Sequence, residues 1–558
     1  MCRTVLWLAL VIFPFLCARD VAAAADAKRA GPISLPPSQY FDGDDGWWSS
    51  FQIQVGTPPQ TVRLFPGTSA SAGSTIWVVL AEGCWKANPG LPNCPNVRGY
   101  TFTRNESTTW STQQLSSGGL YALETVEEAY LGLTGSAYYG FDTVNMGIAG
   151  QGLPTLPGQL VAGFATDNYW LGSLGLSPLP LNLTNLDSHI LSLLGTLRNQ
   201  SYVPGSSWAY TAGAFYRDPQ AYGSLTFGGY DATRQDSKQT LSNIAFRAED
   251  ARDLVVQLQT ITYDTIGSAP LLTKPIHMFI DSLVSQLWLP IEVCQQFERA
   301  FNLTWNANSS LYLIDEHVHS ALLAQNPTFT FKIGADTVRE TIDIVLPYAA
   351  FDLNVTWPIT NGPSRYFPLQ RANTSQYTLG RVFLQGAYVI ADYDRQNFTI
   401  SQALFPPTSV QQKLVAICAP GNEAACRGPG AALSKGAIAG IVVGAIIILC
   451  LFIAGFIWIA RNRRKRRRQQ AAAIAPSYPV DEKASSDARA QHAPLNVELD
   501  GQGPTRYEMD QGNEFRPELG PGKEGPDKYG RHELKRAWDS HELAAGEMVA
   551  VELEAPLK

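Results

Sequence analysis

Between residues 40 and 407, hydrophobic positions recur in short runs at a period of two. The segment Val255-Val-Gln-Leu-Gln-Thr-Ile-Thr-Tyr263 is the clearest case, since alternation of this kind buries one face of a sheet and wets the other. Frequent Gly, Pro and Asn separate the runs, so the pattern predicts many strands joined by turns and a mainly β domain. Two apolar stretches break it. Val5 to Leu16 follows the basic Arg3 and precedes Val21-Ala-Ala-Ala-Ala25, the layout of a secretory signal ending near residue 24. Gly436 to Ala460 carries no charge and at ~1.5 Å per helical residue is long enough for a ~30 Å hydrocarbon core. Arg461-Asn-Arg-Arg-Lys-Arg-Arg-Arg468 follows it at once. Such a cluster is retained on the cytoplasmic side, so the chain reads as single-pass type I, with its N-terminal domain extracellular or lumenal and the plasma membrane as its expected site.

Beyond the span, residues 469–558 hold ten Lys plus Arg against seventeen Asp plus Glu, with few large apolar residues. Such a segment cannot bury enough surface to offset its ordering entropy and is expected to be a disordered cytoplasmic tail from 461 to 558. The arginine run suits anionic lipid headgroups, and its place beside a span argues against a nucleic-acid partner. Gly436, Gly440 and Gly444 are spaced for close helix approach, hence a possible transmembrane-helix dimer. Glycosylation sequons stand at Asn105, Asn182, Asn199, Asn302, Asn308, Asn354, Asn373 and Asn397, all before the span. Five cysteines lie between signal and span: Cys84, Cys94, Cys294, Cys418 and Cys426. An odd number cannot all pair within the chain. Cys418 with Cys426 is one candidate disulfide, and Cys294 is left free, buried or joined to another chain. With no Cys-x-x-Cys pair and no His cluster of zinc spacing, neither a metal nor a cofactor is expected.

Two segments carry the candidate chemistry. Gly56-Thr-Pro-Pro-Gln60 leads through an apolar strand to Pro66-Gly-Thr-Ser-Ala70 and on to Ile76-Trp-Val-Val79; Phe279-Ile-Asp-Ser-Leu283 leads to Leu287-Trp-Leu-Pro290. About a hundred residues after each comes an apolar-apolar-Gly element, Ser173-Leu-Gly175 and Thr378-Leu-Gly380. An internal echo of this kind marks two similar lobes. In order and spacing these motifs resemble the pepsin-like aspartic proteases (peptidase A1), especially fungal, glycosylated, membrane-anchored members. The resemblance implies a two-lobed acid-protease fold over residues 39–407, with lobes at about 47–231 and 240–407, a juxtamembrane stalk at 408–435 and the span at 436–460. It places Tyr130 on the flap that covers the cleft. It also pairs Cys84 with Cys94.

The same resemblance exposes two departures. Asp281 and Ser282 match the second catalytic turn, but Leu283 stands where the family has glycine. In the first turn the acid is missing: it falls near Gly67 counting from Gln60 and near Ala70 counting back from Trp77, and no Asp or Glu occurs between Asp45 and Glu82. Aspartic proteases need two carboxylates sharing a proton, one to activate water and one to protonate the carbonyl oxygen. A single Asp281 cannot fill both roles. Only about fifteen residues separate the signal from the domain, short for the prosegment such a resemblance implies. The expectation is a membrane-anchored pseudoprotease with a vestigial Asp281 that binds extracellular peptide or protein. Two alternatives stay open: an active aspartic endopeptidase using Asp281 and an unrecognised second acid, and a surface sensor or structural glycoprotein with the fold as scaffold.

Overall fold

Val256 and Leu258 turn inward from the strand Val255–Tyr263 while Gln257 stays at its surface, as a period of two requires. The alternation slips at Thr260, where a register shift against the strand Thr328–Ala335 lets Gln259 and Thr260 pass before Ile261 turns in. These observations come from a computed structural model describing residues 30–69, 72–123, 125–148, 150–181, 183, 189–248, 252–264, 269–336, 338–421 and 435–472. The expected signal, Ala70, Asn182, Cys426 and the tail beyond Ala472 lie outside the described residues.

The architecture is mainly β, in two lobes of one pepsin-like fold. The first lobe is built on an eight-stranded sheet and the second on a seven-stranded one. Both contain the same weave. In lobe 1, Gln60–Gly67 runs parallel to Gly172–Gly175, which lies antiparallel to Ile76–Val79, itself parallel to Thr155–Phe164. In lobe 2, Ile276–Ile280 runs parallel to Thr378–Leu379, which lies antiparallel to Leu287–Pro290, itself parallel to Leu369–Ala372. The chain crosses itself closely at both places. A Cβ on Gly175 would lie 2.2 Å from the Gly73 carbonyl oxygen, and one on Gly380 would lie 2.4 Å from that of Gln286. The apolar-apolar-Gly echo therefore has a steric cause.

A six-stranded sheet joins the lobes, taking Ile33–Leu35, Ser224–Phe227 and Ser207–Thr211 from one side and Ala387–Asp392, Asn397–Ala403 and Gln235–Ala245 from the other. Ile33–Leu35 and the strand Leu414–Ala416, which pairs with Gly229–Asp231, extend the folded region past both ends of the 39–407 span. A single helix, Lys435–Ala472, runs through the apolar segment and the arginine cluster alike. Among the described residues, Ile446–Gln469 is the one helix long and apolar enough to cross a membrane.

Candidate active site

The two turns meet at a reciprocal pair of hydrogen bonds. The Thr68 amide donates to Ser282 Oγ at 3.0 Å, and the Ser282 amide donates to Thr68 Oγ1 at 2.9 Å. Ser282 Oγ donates in turn to the Pro66 carbonyl at 2.6 Å. Both hydroxyl residues are buried, so each bond replaces water that has been excluded, and leaving one unmade would cost ~1–3 kcal/mol. If Thr68 answers Ser282, the residue answering Asp281 is Gly67.

Asp281 is buried, its amide donating to the Leu379 carbonyl at 3.2 Å and its Oδ1 accepting from the Leu283 amide at 2.9 Å. Opposite it, a Cβ added to Gly67 would lie 2.4 Å from Ser173 Oγ and 3.6 Å from Leu283 Cδ2. The Ser173 hydroxyl is buried and has no hydrogen-bond partner among the described residues. Leu283 packs against a cluster in the first lobe that includes Trp77, Tyr169 and Leu133. The leucine of the second turn thus reaches across to Gly67 of the first.

The strands Leu120–Ala122 and Ser136–Asn145 pair antiparallel, where the flap hairpin is expected, and a short helix, Val126–Tyr130, lies in the connection between them. Tyr130 is 55% exposed. Its carbonyl accepts from Gln376 Nε2 at 2.7 Å, and its ring lies 5.9 Å from the Arg252 guanidinium, so the tip rests on the second lobe. The ring that meets Trp77 is Tyr169, edge-on at 5.1 Å, with its hydroxyl donating to the Leu133 carbonyl at 3.1 Å. Burial raises the Tyr169 pKa first, and the charges of Glu128 and Asp281 raise it further. Glu128, on the flap helix, is fully buried. Trp77 is buried and Trp288 half-buried.

Sequence reasoning missed the groups behind the second turn. Arg381 directly follows Gly380, and its Nη1 donates to the carbonyls of Ser282 and Leu283 at 2.8 and 3.1 Å. Its Nη2 pairs with Asp45 at 3.4 Å, and the guanidinium lies 4.6 Å from the Phe65 ring centroid. Asp45 also accepts from Ser285 Oγ, which ties the N-terminal segment to the second turn. Asp44 beside it lines a cavity of about 380 Å³ shared with Leu283, Tyr169 and Arg381. Burial, then the neighbouring Asp45 carboxylate, holds the Asp44 pKa well above the usual range. An ionisable residue directly after the Leu-Gly echo was the one available signal for Arg381.

Residues 172–404 match the family model described as eukaryotic aspartyl protease. The matched part of the chain is similar to the eukaryotic aspartyl proteases. The match takes in Asp281 but begins after the turn that carries Gly67. Among curated relatives, the chain is 24% identical over 369 residues to "Probable aspartic-type endopeptidase opsB" of Aspergillus oryzae, covering 64% of this chain and 68% of that one. It is 23% identical over 410 residues to the protein of the same description, OPSB, from Trichophyton verrucosum, covering 71% and 76%. A third, OPSB of Arthroderma benhamiae, matches at 23% over 410 residues, with 71% and 76% covered.

The cysteines of the pepsin-like domain follow its geometry. Cys84 and Cys94 form a disulfide after the first turn, and Cys418 is also disulfide-bonded. Cys294 is free and buried, its thiol facing the carbonyls of Leu289 and Gln370 and its pKa pushed up to about 12 by burial. Such a thiol is inert. Of the sequon asparagines, Asn105, Asn199, Asn302, Asn308, Asn354 and Asn373 are exposed and Asn397 is half-buried.

Proposed function

We propose that this protein is a membrane-anchored pseudoprotease: a pepsin-like domain, held outside the membrane, that binds peptide or protein without cutting it. One observation carries the reading. Leu283 Cδ2 lies 3.6 Å from where a Cβ at Gly67 would stand, so an apolar group two residues after Asp281 is in van der Waals reach of any side chain placed at Gly67. A water held there for attack on a carbonyl would need two hydrogen-bonding acids, and here it would meet a leucine and one acid. The two-lobed frame and the flap remain, and a cleft of this kind suits an extended peptide paired as a strand. Peptide cleavage by the detergent-solubilised full chain, assayed from pH 3 to 7, tests the reading. No turnover is expected, and Asp281→Asn is expected to change neither surface expression nor peptide binding. Acid-pH cleavage abolished by that substitution would overturn it.

A second reading has one observation in its favour. Glu128 is a buried acid on the flap, and its charge and that of Asp281 both bear on Tyr169. If Glu128 supplied the second carboxyl, cleavage would be present and Glu128→Gln would lower it by at least ~10².

A further inference from the structure

Away from the cleft, lobe 2 carries a groove of about 650 Å³ whose walls include two sequon asparagines, Asn302 and Asn354. Asn302 closes the helix Ile291–Phe301 in the left-handed region, at φ 53°, and its amide donates to the Glu298 carbonyl. Its side chain therefore leaves from the helix end with nothing of the helix beyond it. Thr304, the hydroxyl residue of the same sequon, is exposed and lines the same groove. Asn354 stands directly across from Arg365 on the neighbouring strand. The hydroxyl of its sequon partner, Thr356, is already engaged, donating to the Asp44 carbonyl at 3.4 Å and to that of Trp357 at 3.5 Å. Of the two asparagines, Asn302 is the one whose sequon hydroxyl residue, Thr304, is exposed in the folded chain, although Leu303 between them is buried.

We propose that this groove is the seat of an N-linked oligosaccharide attached at Asn302. In the transfer, the Asn302 amide nitrogen forms a bond to C1 of the sugar of a lipid-pyrophosphate-linked oligosaccharide. The C1–oxygen bond breaks, its electron pair leaves with the lipid pyrophosphate, and the amide proton passes to a base of the transferase. The first sugars then find a surface matched to them. A pyranose has a C–H face and a rim of hydroxyls; the groove is lined by the apolar Leu313, Val318 and Pro363 and by the polar Asp315, Asn354, Ser364 and Arg365. Arg365 pairs with Glu316 at 2.7 Å in an exposed contact, and its planar guanidinium has further donors for sugar hydroxyls. The volume lies within the ~300–1,000 Å³ of small-ligand sites. The groove thereby becomes part of the folded structure of lobe 2, with a sugar as its missing wall.

The proposal rests on the extracellular placement of the domain, and its test separates the two. Glycopeptide mass spectrometry of the full chain from a eukaryotic host reads occupancy site by site. Modification at Asn302 is expected. Modification of Asn105 or Asn199 with Asn302 bare would overturn the groove assignment alone, whereas no modification anywhere would overturn the placement as well. Thermal unfolding is then compared before and after removal of the glycans from the unaltered sequence by an amidase, with a fall in Tm of ~3 °C expected for a lost packing element in a domain of this size. The fall should persist in Asn105→Gln and Asn199→Gln and vanish in Asn302→Gln. Hydrogen exchange at residues 311–318 of the wild type gives the same reading without substitution: faster exchange after glycan removal supports the seat, and unchanged exchange shows a glycan standing free in solvent, which refutes it.

Discussion

Asp44 is the residue whose ionisation the fold opposes most plainly. Its folded pKa is raised by burial and by Asp45, so the folded chain keeps a proton that the unfolded chain releases near a pKa of about 3.9. The stability this gives is fully present below the unfolded value and is lost as pH rises through the raised folded one. Urea unfolding is therefore expected to show a domain more stable at pH 4 than at pH 7 from this group, with Asp44→Asn flattening the difference; an unchanged slope would refute the assignment. At the centre, Gly67→Asp with Leu283→Gly restores both family residues on paper. The new Cβ would still meet Ser173 Oγ at 2.4 Å, a contact that must be relieved by rotation or displacement. Productive chemistry demands placement within ~0.5 Å, so the double variant is expected to remain inactive in the pH 3–7 assay. Arg381→Leu strips the carbonyls of the second turn of their donor and leaves Asp45 facing less positive charge. Breaking a buried pair of this kind costs ~3–5 kcal/mol, and a denaturation midpoint measures it.

At the scale of elements, the turns are held by what crosses them. Gly175 and Gly380 are glycine because backbone passes where a Cβ would stand, a reason visible only once the crossings are known. The exposed edge strand Val338–Pro347 is capped by side chains: Gln239 accepts from the Asp343 amide, and Gln402 both accepts from and donates to Val345. This satisfies backbone groups that would otherwise recruit another strand. The Cys84–Cys94 bridge closes a ten-residue separation, and by loop entropy its removal with Cys84→Ser and Cys94→Ser should cost ~2–3 kcal/mol in chemical unfolding. The hydrogen bond from Gln376 and the Arg252 contact hold the flap tip against the second lobe. Gln376→Ala is expected to speed amide exchange in residues 120–135 while leaving the two lobes' core strands protected; equal protection in the variant would show that the tip is held by other contacts.

For the whole molecule, the joining sheet and the reciprocal Thr68–Ser282 pair make the two lobes one folded unit. The proposed orientation places that unit on the far side of the membrane from the arginine cluster. In sealed vesicles, protease added outside should remove the tail and leave residues before the span intact. Digestion of the domain with survival of the tail would invert the topology.

The sequence by itself determined the fold class and the two-lobed repeat, and it shows no acid between Asp45 and Glu82. These are local in kind: period-two burial, turn residues and short ordered motifs survive in a linear reading. It left the first turn in two registers, because residues inserted between Gln60 and Trp77 move the count from either end. Thr68 and Ser282, far apart in sequence and adjacent in space, are where tertiary structure bears on that choice. It also placed Leu283 over Gly67, Arg381 behind the turn and Tyr169 against Trp77. Each of those depends on which side chains two separate lobes bring together, and periodicity along one chain carries no record of that.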